Sequence, residues 1–184
     1  QQFLKNQKST ACNNGIGRAL SPTITFAVGG AGAQKKLAAK ILTSLKEKIL
    51  QNKIRLNLVA GSRIDVCLFF KQQIDANGLA KRLNKNLKII FAAQKEDYFA
   101  SLNQTLRTTD ILWTKPSELV FYAALGLPII IAPSVGSQED FNRTWLKTIN
   151  AGISQADPEL THEWLFDWIN SGWLAEAAMS GYLD

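Results

Sequence analysis

Gln138, Glu139, Asp140 and Asn142 follow one of the most apolar runs in the chain, "LPIIIAP". Two amides and two carboxylates within five positions can donate and accept hydrogen bonds with fixed geometry, which suits the vicinal hydroxyls of a sugar. Helix capping accounts for part of the cluster, because Ser137, Glu139 and Asp140 all favour a helix start. It does not account for Gln138 and Asn142 one turn apart.

Three other stretches could carry chemistry. "VGGAGA" offers Gly29, Gly30 and Gly32 between an apolar run and a helical pattern. Glycines there let backbone approach a phosphate, and a helix N-terminus supplies free N–H groups; a tight turn needs glycine too. No Gly-Lys-Ser/Thr follows, so this is no Walker loop, and the G-x-G-x-x-G spacing of a dinucleotide fingerprint is missing. "AGSR" brings Ser62 and Arg63, whose planar fork suits a diphosphate or simply solvent. "TKPSE" puts Lys115 and Glu118 at a helix start. The acid is favourable there by itself; the cation is misplaced unless an anion lies nearby.

The elements that must position these residues alternate regularly from Pro22. Apolar, β-rich runs at 23–28, 54–60, 87–92, 110–114 and 128–132 read as strands, with "GIS" as a short sixth. Between them lie helical patterns at 34–50, 65–76, 95–107, 117–125 and 138–150, and two tryptophan-rich helices follow near 159–170 and 172–180. In the first helix Leu37, Ala38, Ile41, Leu42, Leu45 and Ile49 share one face. Asn77-Gly78 and Gly126 stand where helices should stop. Such alternation implies βαβ units and a parallel sheet. The strands read as nearly apolar throughout, as expected when helices cover both faces. The expected architecture is a Rossmann-like, doubly wound α/β domain over residues 22–184, with residues 1–21 a linker or the tail of a preceding domain. Every polar cluster above follows a strand, which places them all on the carboxyl edge where such sheets bind ligands.

Composition bounds the reading further. The 184 residues are 46% hydrophobic and 20% charged, enough for one core. No apolar run approaches the roughly 20 residues that span a bilayer. The chain opens without Met and stops at "GYLD", and reads as a piece of a longer protein. Cys12 and Cys67 give neither a disulfide framework nor a metal spacing, which fits reduced thiols and a cytoplasmic setting. A single His162 rules out a multi-histidine metal site. A net charge of +6 favours anionic partners, but no basic stripe interleaved with aromatics or nucleic-acid motif appears, so nucleic acid is not an expected partner. Neither a cofactor nor a metal is expected. His162, Trp164, Trp168 and Trp173 read as helix-packing or surface residues, with the tryptophans otherwise free to meet another domain; Glu159 and Glu163 read as a solvated face.

The stretch "DILWTKPSELVFYAALGLPIIIAP…GSQEDFN" resembles the donor-binding, C-terminal half of GT-B glycosyltransferases. Family 28 is the nearest pattern, the cell-wall N-acetylglucosaminyltransferases and monogalactosyldiacylglycerol synthases. The resemblance runs from Thr23 to Ile153. It rests on the glycine loop, Thr114-Lys115-Pro116 with Glu118, Gly126-Leu127-Pro128, and Gln138-Glu139 with Asn142. It implies that Gly30 and Gly32 approach a diphosphate and that Glu118 meets the ribose. Gln138 and Glu139 would hold the donor sugar, and Phe91 and Ala92 run beside the base. The implied donor is a UDP-sugar. The implied partners are an N-terminal acceptor domain of the same protein and a peripheral membrane face. The implied activity is hexosyl transfer by the full-length protein, its general base on the N-terminal domain; no catalytic residue is named on this chain, and no turnover is expected from it alone.

Other readings of the same residues are a nucleotide-sugar hydrolase or epimerase, a non-catalytic Rossmann-like binding module, and a dinucleotide-dependent dehydrogenase. The last calls for an acid about 20 residues past the glycine loop, where Ser62 and Arg63 stand instead.

Overall fold

The structure is a computed structural model that describes residues 21–27, 29, 32, 34–116, 119–134 and 137–183, leaving aside the side chains of Leu119, Val120 and Gln138. Six strands form one sheet: β1 (Thr23–Ala27), β2 (Arg55–Gly61), β3 (Leu87–Phe91), β4 (Ile111–Thr114), β5 (Ile129–Ile131) and β6 (Gly152–Ser154). Their order is β3-β2-β1-β4-β5-β6 and every pairing is parallel. The order reverses between β1 and β4, and that is the topological switch point where doubly wound sheets open a crevice.

The helices are α1 (Lys35–Ser44), α2 (Lys46–Leu50), α3 (Ile64–Ala76), α4 (Lys95–Leu106), α5 (Leu119–Ala124), α6 (Ser137–Thr148), α7 (Thr161–Asn170) and α8 (Trp173–Leu183). The expected first helix is thus two segments, α1 and α2, meeting at Leu45. Helices start and stop where the local chemistry directs. Gly78 (φ 71°) and Gly126 (φ 70°) take the left-handed conformation that ends α3 and α5.

Register assigns the two faces of the sheet. Ile24, Leu56 and Leu87 pair across three strands, and Phe26 pairs with both Leu58 and Trp113. These residues share one core with Ile41 and Leu42 of α1, Phe70 and Ile74 of α3, and Leu165 of α7. Trp113 extends that core as a chain of rings: Phe26 at 5.8 Å, Trp164 at 5.2 Å, then Trp168 and Trp173. The C-terminal tryptophans therefore pack against the strands as well as each other. The indole N–H of Trp113 donates to Gln155 Oε1 at 2.9 Å.

The opposite face is divided. Its β5 end is apolar, with Ile129 and Ile131 packed against Ala123 and Leu146 of α5 and α6. Its β1–β3 end is polar at the amino ends of the strands, where Thr23 pairs with Arg55, Thr25 with Asn57, and Asn57 with Lys88, and turns apolar further on at the Ala27–Val59 and Val59–Ile90 pairs. This corrects the expectation of strands apolar throughout. In β1–β3 the buried-face residues alternate with polar ones, and α4 covers the polar side with Leu102 as its only buried residue. A buried hydrogen-bond chain satisfies part of it. Asn57 Nδ2 donates to Thr25 Oγ1 (3.1 Å), the Thr25 and Thr109 hydroxyls lie 2.7 Å apart, and Thr109 Oγ1 donates to the Thr105 carbonyl (2.9 Å).

Candidate functional site

At the switch point, Ala27 and Thr114 are the last paired residues of β1 and β4. The chain beyond β1 turns at once: Gly29 and Gly32 have φ of 75° and 66°, and the Gly32 N–H donates to the Gly29 carbonyl at 3.0 Å. A left-handed φ is costly for any other L residue. Space is short as well. A Cβ on Gly29 would lie 2.4 Å from Lys115 Cε, and one on Gly32 would lie 2.8 Å from Val66 Cγ2 and 3.5 Å from Arg63 Nε. The glycine turn thus has Lys115 laid along one side and Arg63 on the other.

The misplaced cation has its anion. Lys115 Nζ donates to Glu139 Oε1 at 2.5 Å, with the two side chains only 20% and 12% exposed. Glu139 and Asp140 lie in the first turn of α6, where the helix dipole favours acids. One turn on, Asn142 Nδ2 donates to the Pro116 carbonyl at 3.1 Å. Both contacts tie α6 to the Thr114–Pro116 turn, so the polar cluster holds the loop after β4 in place.

Arg63 precedes α3 and makes a two-pronged contact with Asp65, Nε to Oδ1 at 3.0 Å and Nη2 to Oδ2 at 3.3 Å. Lys35 Nζ reaches Asp65 Oδ2 at 3.4 Å. The Arg63 hydrogen bond, helped by Lys35 and opposed by partial desolvation, holds the Asp65 carboxyl below its ordinary value; the same hydrogen bond raises the guanidinium.

The structure therefore brings Gly29, Gly32, Arg63, Lys115 and Glu139 to one corner, with Asn142 behind Pro116. Phe91 and Ala92 lie two strands away, at the end of β3, where the Ala92 N–H donates to the Gly61 carbonyl. Gly30, Glu118 and the side chain of Gln138 lie outside the described residues. Sequence reasoning missed Gln34, which stands at the start of α1, 7% exposed, with Nε2 donating to the Pro133 carbonyl and Oε1 unpartnered. It missed the buried, unpartnered hydroxyls of Ser134 and Ser154 near the ends of β5 and β6. A signal for Gln34 existed: it is the first polar side chain after the glycine turn. His162 is remote, its Nδ1 3.0 Å from Ser44 Oγ. Among the described residues, no group of three His, Cys, Asp or Glu side chains could hold a metal ion, and no helix is long and apolar enough to cross a membrane.

A corner with a backbone without Cβ atoms, a helix N-terminus and two cations can hold a diphosphate if Lys115 and Arg63 exchange their present partners, Glu139 and Asp65, for it. The six-stranded parallel sheet is also found in other proteins. The C-terminal CMP-Kdo binding domain of WaaA from Acinetobacter baumannii is similar at a TM-score of 0.65 and 12% identity, over 89% of this chain and 89% of that one. The glycosyltransferase SnogD from Streptomyces nogalater is similar at a TM-score of 0.56 and 18% identity, over 94% of this chain and 43% of that one. The spinosyn rhamnosyltransferase SpnG, complexed with thymidine diphosphate, is similar at a TM-score of 0.56 and 17% identity, over 91% of this chain and 42% of that one. This chain spans less than half the length of the last two. At such identities the likeness shows the fold alone, the Rossmann-like doubly wound α/β fold expected from the sequence. No curated protein sequence matches the chain. Residues 6–157 match the profile of one family, and the chain belongs to it: Domain of unknown function (DUF6938).

Proposed function

We propose that this chain is the donor-binding domain of a glycosyltransferase and that it holds a nucleoside diphosphate sugar, a UDP-sugar, at the β1/β4 crevice. The carrying observation is the corner itself, with Lys115 laid along Gly29 and Arg63 beside Gly32 at the switch point. In this reading Gly29, Gly30 and Gly32 approach the diphosphate while Lys115 and Arg63 neutralise it. Glu118 meets the ribose, and Phe91 and Ala92 line the base. Gln138, Glu139 and Asn142 form the sugar side, and Glu139 releases Lys115 to the diphosphate when the donor binds. The acceptor and the general base belong to an N-terminal domain of the same protein, at the cytoplasmic face of a membrane. The names of the structural neighbours support this reading, since they speak of a nucleotide-sugar domain, a glycosyltransferase and a bound nucleoside diphosphate.

Calorimetric titration tests it. UDP and a UDP-sugar bind with dissociation constants on the order of 0.1–1 mM, as expected for half of a closed cleft. Lys115→Ala weakens both ligands about tenfold, the loss of one charge-assisted contact. Gln138→Ala weakens only the sugar nucleotide. Glu139→Gln removes the carboxylate that competes for Lys115 and tightens UDP. If neither UDP nor UDP-sugar binds at millimolar concentration, and CMP and TDP also fail, the proposal falls.

A further inference from the structure

On the polar side of the sheet, at the end away from the crevice, α4 stands off the β1–β3 strands and leaves an open groove of about 1130 Å³. Its side chains are mostly polar, with Ile90 of β3 the apolar exception among the described lining residues. The strand wall presents Arg55, Asn57 and Lys88, and the helix wall presents Ser101, Gln104 and Thr105. Lys85 adds a third cation, and no carboxylate is among the described lining residues. Asp110, next to Thr23, accepts the Thr23 backbone N–H at 2.7 Å. A helix and a sheet packed for stability alone would meet through apolar side chains. Here walls made mostly of polar side chains face each other across solvent.

The lining also says what would fit. Three cations with no acid among the described lining residues select an anion. Amides and hydroxyls on both walls select a polyhydroxylated body, since each can donate and accept. None of the described lining residues is aromatic, so they offer no stacking surface of the kind single-stranded nucleic acids use. At its floor Asn86, 8% exposed, donates through Nδ2 to the Ile49 and Ile54 carbonyls and keeps an unpartnered Oδ1. Such a buried acceptor is costly until a donor reaches it.

We infer that this groove is a second ligand site, for a sugar carrying a phosphate or a carboxylate, separate from the β1/β4 crevice and independent of the function proposed for it. Lys88 and Arg55 take the anionic group from the strand side, while Ser101, Gln104 and Thr105 address the hydroxyls.

Amide NMR of the 184-residue chain tests this with four probes: glucose 1-phosphate, glucuronate, inorganic phosphate and glucose. The expected result is saturable shifts of the Asn57, Lys88, Ser101 and Thr105 amides with at least one anionic sugar. Which of the two sugars binds more tightly identifies the anion. Lys88→Gln and Lys85→Gln change exposed side chains, so both variants fold, and each weakens that binding about tenfold. The site is refuted if inorganic phosphate or glucose shifts the same amides with equal affinity. It is equally refuted if the shifts gather at Gly29 and Lys115, if both variants bind as the parent does, or if no probe moves the groove amides.

Discussion

The two faces of the sheet are built from the same strands but do different work. On the face covered by α1, α3 and α7, Ile24, Phe26, Leu56, Leu58 and Trp113 are fully buried in one apolar core. One residue along each strand, the other face of β1–β3 shows Thr23, Thr25, Arg55, Asn57 and Lys88. Burying apolar area is the main favourable term in folding, at about 25 cal/mol per Å². The first face therefore supplies stability, and the second spends part of its area on hydrogen bonds that return little net energy. A helix that covers polar strands so loosely is a poor stabiliser. The comparison teaches that the two faces of β1–β3 are closed by different means, one by apolar packing and the other by buried hydrogen bonds with a groove beside them.

The largest expected effect comes from the apolar face. Trp113 is 0% exposed and joins Phe26 of β1 to Trp164 of α7. Trp113→Ala removes that bridge and leaves a cavity, and stability falls by about 3–5 kcal/mol. Urea denaturation with an unchanged slope measures it. A loss near that of a surface substitution would show that the rings are dispensable and that the apolar face is not where the fold is held.

Much of this arrangement can be read in the sequence. Strand and helix order follow from punctuation by Gly61, Asn77-Gly78, Pro116 and Gly126, whose backbone preferences act locally. Gly29, Gly32, Arg63 and Lys115 are legible as one edge because each follows a strand of a parallel sheet. The polar face was legible too: Thr23, Thr25, Asn57 and Lys88 alternate with Ile24, Phe26, Leu58 and Ile89 at a period of two. Reading the strands as unbroken apolar runs hides that alternation. The Lys115–Glu139 pair was not legible. Its partners are 24 residues apart, and how α6 lies against the turn after β4 is decided by packing of Leu146 and Ala123, not by local pattern. Gln34 contacts Pro133 for a similarly non-local reason.

A middle-sized effect tests the polar face. Thr25→Val keeps the shape but strips the hydroxyl shared by Asn57 and Thr109. Asn57, 5% exposed, then loses its acceptor, and stability falls by about 1–3 kcal/mol. Adding Asn57→Leu removes the stranded amide and restores the double variant to within about 1 kcal/mol of the parent. Thermal or urea unfolding of the single and double variants reads both steps. If the double variant is instead as damaged as Trp113→Ala, the polar face is as structural as its opposite and the contrast between them disappears.

The smallest effect lies at the start of α3, where the apolar face meets solvent. Asp65 accepts from Arg63 and Lys35, and its side chain is 48% exposed. Exposed ion pairs contribute little and are screened by salt. If the apolar face is held by its core, Asp65→Asn leaves the unfolding midpoint at pH 7 barely changed, and less so in high salt. The pH dependence carries a sign that can be checked. The Arg63 hydrogen bond lowers the Asp65 pKa below its ordinary value of 3.8 in the folded chain. The unfolded state therefore takes up the proton first, so the contribution is present in full above that value and disappears as pH falls through the folded pKa. Parent and Asp65→Asn should differ slightly at neutral pH and converge in acid. A gap that widens on acidification would reverse the sign and mean that Asp65 is not held as a carboxylate by Arg63. A large gap at pH 7 that survives high salt would mean that α3 is anchored by its first turn, and the contrast between a core-held face and an open one would need redrawing around that turn.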